Sequence, residues 1–200
     1  MARPRSFDID AVVGSARDTF WRLGYDGAAI SDLEDATGLS RSSLYQAFGS
    51  KEQLFRAALA RYIRDVIDPL LAPMEAPDAG PPAIDGFFSR LIELFRGDEL
   101  AGRYGCLWVN SIVDLNRRLP APVDARSDEY WRRINQAFSN ALENSPLDRP
   151  ELLPVAQRAG LLAGSTLGCW LVVRIDAGRA EILCDSVLAE FRAWRDAAGA

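Results

Sequence analysis

An all-α fold is what this sequence predicts, and three observations predict it. Apolar residues recur at three- and four-residue steps along most of the chain, the spacing of one helix face. No stretch alternates apolar and polar residues as a half-buried strand would. Proline or glycine punctuates most of the intervals between the periodic runs. About nine helices result: three short ones, a longer connecting one, then a larger helical part. The division falls into residues 6–66 and 67–200.

The first helix carries Ile9, Val12, Val13, Ala16, Phe20 and Leu23 on one face and stops at Gly24, since glycine tolerates a left-handed cap. A second runs from about 29 to 37, burying Ile30, Leu33 and Ala36, and Gly38 breaks it. Ser40 caps the third, whose inner face holds Leu44, Ala47 and Phe48 and which ends at Gly49. Ser50 caps the fourth, with Gln53 completing a capping box. That helix buries Leu54, Phe55, Ala58, Leu59, Tyr62, Ile63 and Val66 and reaches about Asp68. Pro69, Pro73, Pro77 and the run PDAGPP predict a loop. Further helices are expected near 83–97, 105–119, 122–144, 151–177 and 180–197.

Composition narrows the function. The chain has 200 residues, 48% apolar and 26% charged, with net charge −5, ordinary for a globular protein with an ample core. The acidic excess lies wholly in residues 62–200, because residues 1–61 carry eight basic and eight acidic side chains. A neutral end with local basic points is compatible with DNA without demanding it. Histidine is absent, which removes His-based metal sites and His general bases, and Lys51 is the only lysine. Cys106, Cys169 and Cys184 are far apart and odd in number, which suits a reducing compartment. No signal peptide is visible at the N-terminus. The longest uncharged apolar run, Ala159 to Val173, is shorter than the roughly 20 residues that span a bilayer. A cytoplasmic location without membrane contact is expected.

The stretch SRSSLYQAFGSKEQLF (40–55) holds the chemistry. Its third-helix outer face presents Arg41, Ser42, Tyr45 and Gln46. Arginine reads guanine bidentately and glutamine reads adenine, while serine and tyrosine hydroxyls bond phosphates. Lys51 stands at the first turn of the fourth helix, where backbone amides also favour an anion. A plain surface helix would show a polar face too. The preceding turn, TGLS, separates the readings: Gly38 permits a sharp reversal and Leu39 plugs the corner.

The segment AISDLEDATGLSRSSLYQAFGSKEQLF (29–55) resembles the DNA-binding signature of the TetR-type transcriptional regulators. Gly-Tyr at 24–25, the Leu-Tyr-x-x-Phe of the third helix and the Ser-Lys-Glu that opens the fourth carry the likeness. It is strong over about residues 8–60, with the helix-turn-helix at about 29–48. The resemblance implies a homodimer on a roughly palindromic double-stranded DNA operator, usually a repressor released by a small molecule in the C-terminal part. It implies backbone contacts by Ser42, Tyr45 and Lys51, base contacts by Arg41 and Gln46, and neighbouring roles for Ser40 and Ser43. One departure concerns the second helix, where the family has Thr or Ser and this chain has Ala28 and Ala29. Ser31, with Glu34 three residues on, is the expected substitute, as cap or phosphate contact. Asp32, Glu34 and Asp35 would repel DNA if turned toward it, and Arg3 and Arg5 could compensate.

In the C-terminal part, Gly160, Gly164 and Gly168 form a smooth stripe at four-residue steps, and Leu183, Val187, Phe191 and Trp194 share a face of the last helix. A two-fold four-helix dimer interface fits both. The alternatives are that the glycines thin the helix for packing within one chain or leave room for a ligand. Phe88, Leu91, Phe95, Trp108, Trp131, Phe138 and Trp170, with Ser111, Asn135 and also Asn110 and Asp114 as polar groups, are candidates for an apolar or aromatic effector pocket, or else an ordinary core. Cys106 opens a helix in YGCLWVNS (104–111), which resembles a subgroup with sensors of oxidants or electrophiles. A helix N-terminus, with Arg103 nearby, favours the reactive thiolate, whereas a small buried hydrophobe is the other reading. No catalytic constellation or cofactor motif is present, so no enzyme is expected. The readings that stand are a ligand-responsive DNA-binding repressor, a thiol sensor, and a protein of this fold with weak or lost DNA binding.

Overall fold

A computed structural model describes residues 7–97, 99–115, 122–144 and 153–199. Among these there are eleven α-helical segments and no strand. They are α1 (Ile9–Gly27), α2 (Ile30–Thr37), α3 (Arg41–Phe48), α4 (Lys51–Tyr62), α5 (Asp68–Glu75), α6 (Pro81–Gly97), α7 (Glu99–Tyr104), α8 (Leu107–Leu115), α9 (Pro122–Glu143), α10 (Val155–Val172) and α11 (Ala177–Gly199). A π-helical turn, Ile63–Ile67, joins α4 directly to α5, and one position separates α6 from α7. Counted across those two joins, the described helices are the nine expected.

The loop expected at Pro69 and Pro73 is helical instead. In the π turn the Asp68 N–H donates to the Ile63 carbonyl, five residues back. Pro69 then enters in the first turn of α5, where a missing N–H breaks no bond. Pro73 sits inside α5 while Leu70, Leu71 and Met74 are buried, and that burial outweighs the disrupted turn. The chain leaves helical geometry only at Ala76.

α1 packs along α4 and α2 and reaches α8. Phe20 lies edge-on to Phe55 at 5.0 Å, and Leu33, Leu44 and Leu54 close the small N-terminal core around them. Gly24 interrupts α1 with φ 72°, the positive-φ break that the sequence placed there. Trp21 links this end to the rest. Its Nε1–H donates to the Gly105 carbonyl at 2.7 Å, and its ring meets Tyr62 edge-on at 4.8 Å. Gly105 has φ +69° and a Cβ there would lie 2.5 Å from the Trp170 carbonyl oxygen, so only glycine admits this approach of the turn to α10.

Beyond α5, α9 packs on α10 and α5, and α11 on α6 and α10. Arg133 ties α9 to the connecting helix through Asp68 and Glu75, at 2.6 Å each. No helix among the described residues is long and apolar enough to cross a membrane.

Candidate functional site

The α2–α3 corner is built from local hydrogen bonds. Gly38 takes the left-handed conformation at φ 68° and its N–H returns to the Glu34 carbonyl, closing α2. Leu39 packs half-buried against the core. The N-terminus of α3 is then capped twice. Ser40 Oγ accepts from the Ser43 N–H, and the Glu34 carboxylate accepts from the Arg41 N–H at 2.6 Å. The hydroxyls of Ser42 and Ser43 each lie 3.0 Å from that of Ser40, so three hydroxyls gather at one helix end.

Leu44 is buried and Phe48 half-buried, which turns Arg41, Ser42 and Gln46 outward into solvent. Ala47, expected on the inner face, is exposed: the buried side of this short helix runs from Leu44 to Phe48, four residues on, and leaves the three-residue step in solvent. Arg41 lies over the Tyr45 ring at 5.5 Å from its centroid, and Lys51 over the Tyr25 ring at 4.6 Å. Partial burial lowers the Lys51 pKa, opposed by the charges of Asp26 and Asp32. Burial, reinforced by Glu52 and Asp26, raises that of Tyr25. Sequence reasoning left Tyr25 without a role although its Gly-Tyr pair was noted. The structure makes it the platform under Lys51, packed at 5.0 Å against Phe55.

The second helix differs from expectation. Ala29, not Ser31, is the N-cap, and Ser31 stands exposed in the first turn. Ala28 is fully buried, so no larger capping side chain fits there. Asp32 supplies the missing bond by accepting from the Ala29 N–H at 2.7 Å. Two of the three acidic residues thus face backbone amides: Asp32 caps its own helix and Glu34 caps α3, while Asp35 is exposed. Arg3 and Arg5 lie outside the described residues.

In the C-terminal part the expected aromatic pocket is largely a packed core. Phe88, Leu91, Phe138 and Trp170 are almost wholly buried; Phe88 stacks on Phe138 at 6.0 Å, and Phe95 meets Trp170 edge-on at 5.1 Å. Ser111 is buried and gives its hydroxyl to the Leu107 carbonyl at 2.6 Å. Asn110 bridges Tyr104 and Arg174. Trp131 is exposed and lines a surface groove with Asn135. Trp108 borders a cavity of 310 Å³ that also meets α4. The side chain of Asp114 lies outside those described.

Cys106 does precede α8 and its Sγ accepts from the Val109 N–H at 3.4 Å. The thiol is nonetheless fully buried, and burial raises its pKa above the ordinary value although the nearby Tyr62 and Tyr130 hydroxyls and the Val109 and Trp108 amides favour the thiolate. Of the two readings of this residue, its surroundings favour the small buried hydrophobe over the reactive thiolate, because loss of solvent outweighs the helix terminus. Arg103 is exposed and lies over Tyr104.

The glycine stripe divides. Gly160 faces Asn135 and Gly168 faces Leu183, both within the chain, while Gly164 has open space. Phe191, expected at a partner interface, is fully buried in its own chain. Leu183, Val187 and Trp194 are half-buried against the core. Leu161, Leu171, Ile175 and Ile182 are exposed apolar residues that the sequence reading passed over.

Residues 13–58 match the family described as bacterial regulatory proteins, tetR family. The repressor ComR of Escherichia coli (strain K12), an HTH-type transcriptional repressor, is 34% identical over 119 residues, 57% of this chain and 54% of its own length. An uncharacterized HTH-type regulator of Bacillus subtilis (strain 168), YezE, is 28% identical over 70% of this chain and 69% of its own. Among solved structures, the TetR family regulator CifR, a cysteine mutant complexed with 26-bp double-strand operator DNA, is 26% identical. It superposes with a TM-score of 0.74 over 94% of this chain and 98% of its own. E. coli NemR in its reduced form, at 20% identity and TM-score 0.75, covers 92% of this chain and 94% of its own and shares the fold.

Proposed function

We propose that this chain, which belongs to the TetR family of DNA-binding transcriptional regulators, is a homodimeric cytoplasmic repressor of a palindromic operator, released by a small apolar or aromatic effector. The family is one of regulators and not of enzymes. The observation that carries the reading is the outward face of α3, where Arg41, Ser42 and Gln46 are exposed on a helix held from behind by Leu44. Arg41 and Gln46 are assigned to bases. Tyr45, Ser42 and Lys51 are assigned to phosphates, with Ser31, Ser40 and Ser43 beside them. The Tyr25 ring under Lys51 and the Tyr45 ring under Arg41 hold both cations in place before DNA arrives, which reduces the ordering cost of binding.

Dimerisation through α10 and α11 is supported by the exposed Leu161, Leu171, Ile175 and Ile182, with Gly164 between them allowing close approach. Two copies related by a two-fold axis would present two α3 helices to successive major grooves, which is what a palindrome requires. The domains divide at about 66, in the π turn.

Affinity for a duplex selected from a random pool should fall linearly on a logarithmic salt scale, since phosphate contacts release counterions. Lys51→Ala should weaken binding to all sequences alike and reduce the slope by about 1. A salt-independent affinity, or an unchanged slope in the variant, would refute the clamp.

A further inference from the structure

The amino end of α3 is held by a residue of the preceding helix. Glu34, on α2, reaches past the Gly38 corner, and its carboxylate accepts from the Arg41 N–H at 2.6 Å. The Arg41 side chain is not its partner, since the guanidinium lies over the Tyr45 ring, 5.5 Å from the centroid. Among the described residues no ion pair neutralises Glu34. We propose that Glu34 is a positioning and specificity-setting residue for DNA recognition. It holds the first turn of α3 and keeps a negative charge where a backbone phosphate would otherwise settle. The inference rests on the reading of α3 as the helix that enters the major groove.

Three observations carry it. The first is the choice of an acid. Free first-turn amides and the helix dipole attract anions, so an open helix start binds phosphate whatever the sequence. A neutral oxygen is enough for a cap, as Ser40 shows by accepting from the Ser43 N–H. Glu34 adds what a serine does not: a full charge, half-buried and fixed in place by a short bond. Capping satisfies the amide and leaves that charge in position. The second is location. Arg41 is the first residue of α3 and is exposed with Ser42 and Gln46, so the carboxylate stands at the end of the face turned to DNA. The third is the division of Arg41 itself. Its backbone is bound to Glu34 and its side chain rests on Tyr45, so the acid fixes the residue without quenching its guanidinium.

The charge acts unequally on right and wrong sequences. On a matched duplex, base contacts by Arg41 and Gln46 hold the end of α3 over base edges. On an unmatched duplex those bonds are missing, and phosphates are the partners left. Glu34 opposes that substitute by like-charge repulsion. Discrimination rises, and total affinity falls.

The test compares the full chain with Glu34→Gln, which keeps an oxygen for the Arg41 N–H and removes the charge. Binding to the selected duplex and to a random-sequence duplex is measured across a salt series. At low salt Glu34→Gln should bind the random duplex about three- to fivefold more tightly, the size of one repulsion removed through water. The gain on the selected duplex should be smaller. The salt slope on the random duplex should steepen by up to about 1, the reverse of losing a phosphate-bound cation. Thermal melting should stay near that of the parent. A residue that only capped α3 would move neither the slope nor the ratio of the two affinities on replacement by Gln. Asp35→Asn removes an equal charge from the exposed side of α2 and should move both less. If Glu34→Gln does not fold, Glu34→Ala is read for the same slope. An unchanged slope, an equal gain on both duplexes, or an equal effect of Asp35→Asn overturns the inference and leaves the DNA-reading assignment standing. A parent chain whose affinity ignores salt overturns that assignment and the inference together.

Discussion

At the α2–α4 end, Tyr25 and Tyr45 stand near the surface with Lys51 and Arg41 over their rings, whereas beyond α5 the rings of Phe87, Phe88 and Phe138 close on one another at 5.2–6.0 Å. One region uses aromatic groups to hold charges in place, the other to exclude space. The first is a small frame whose helix ends are capped by near neighbours in sequence, such as Ser40, Glu34 and Asp32. The second is joined by contacts between residues far apart in the chain, such as Phe88 with Phe138. Among the described residues, one gap lies at the seam between α4, α8 and α9. The contrast teaches that the same residue type does opposite work according to packing: at the first end rings carry outward-facing charges, and at the second they fill the space between helices.

The largest effect should come from the packed side. Phe138→Ala removes a ring that is 0% exposed and should destabilise the fold by about 3–5 kcal/mol in urea unfolding. A loss well below that would mean the aromatic cluster is loose enough to admit a ligand, and the contrast would break. Arg41→Ala should leave unfolding nearly unchanged but relax discrimination at one base position by about 1–3 kcal/mol, read by competition among single-base variants of the selected duplex. Unchanged affinity and unchanged sequence preference would remove Arg41 from base reading. Ser40→Ala should be smallest, about 0.5–1 kcal/mol of stability, because its cap bond is long at 3.4 Å and Glu34 already holds the first amide of α3. A cost above 2 kcal/mol would show the serine cluster to be structurally central.

The short helices of the reader were legible because their signals are local. Gly38, Ser40, Gly49 and Ser50 end or start helices where they stand in the chain. The same logic failed at Pro69, where a π turn and the burial of Leu70, Leu71 and Met74 carry the helix onward. It failed again at Ser31, since Ala29 is the cap and a carboxylate within the helix supplies the bond. Cys106 was placed correctly at a helix start, but the choice between its two readings depended on burial beside Tyr62 and Tyr130 from two other helices. Among the predicted pocket residues, periodicity identified apolar faces without separating rings that touch each other, such as Phe88 and Phe138, from those that border open space, such as Trp108 and Trp131.

By itself, then, the sequence determined the helices, their order and the outward face of α3, because capping, periodicity and turn chemistry act over three or four residues. Tertiary structure alone decided which rings fill space, which carboxylates cap helix ends, and where Trp108 keeps an unpaired N–H. Those outcomes depend on contacts such as Trp21 with Gly105 and Arg133 with Asp68, across separations of 84 and 65 residues. No local pattern encodes contacts at that range, since they are set by how whole helices pack.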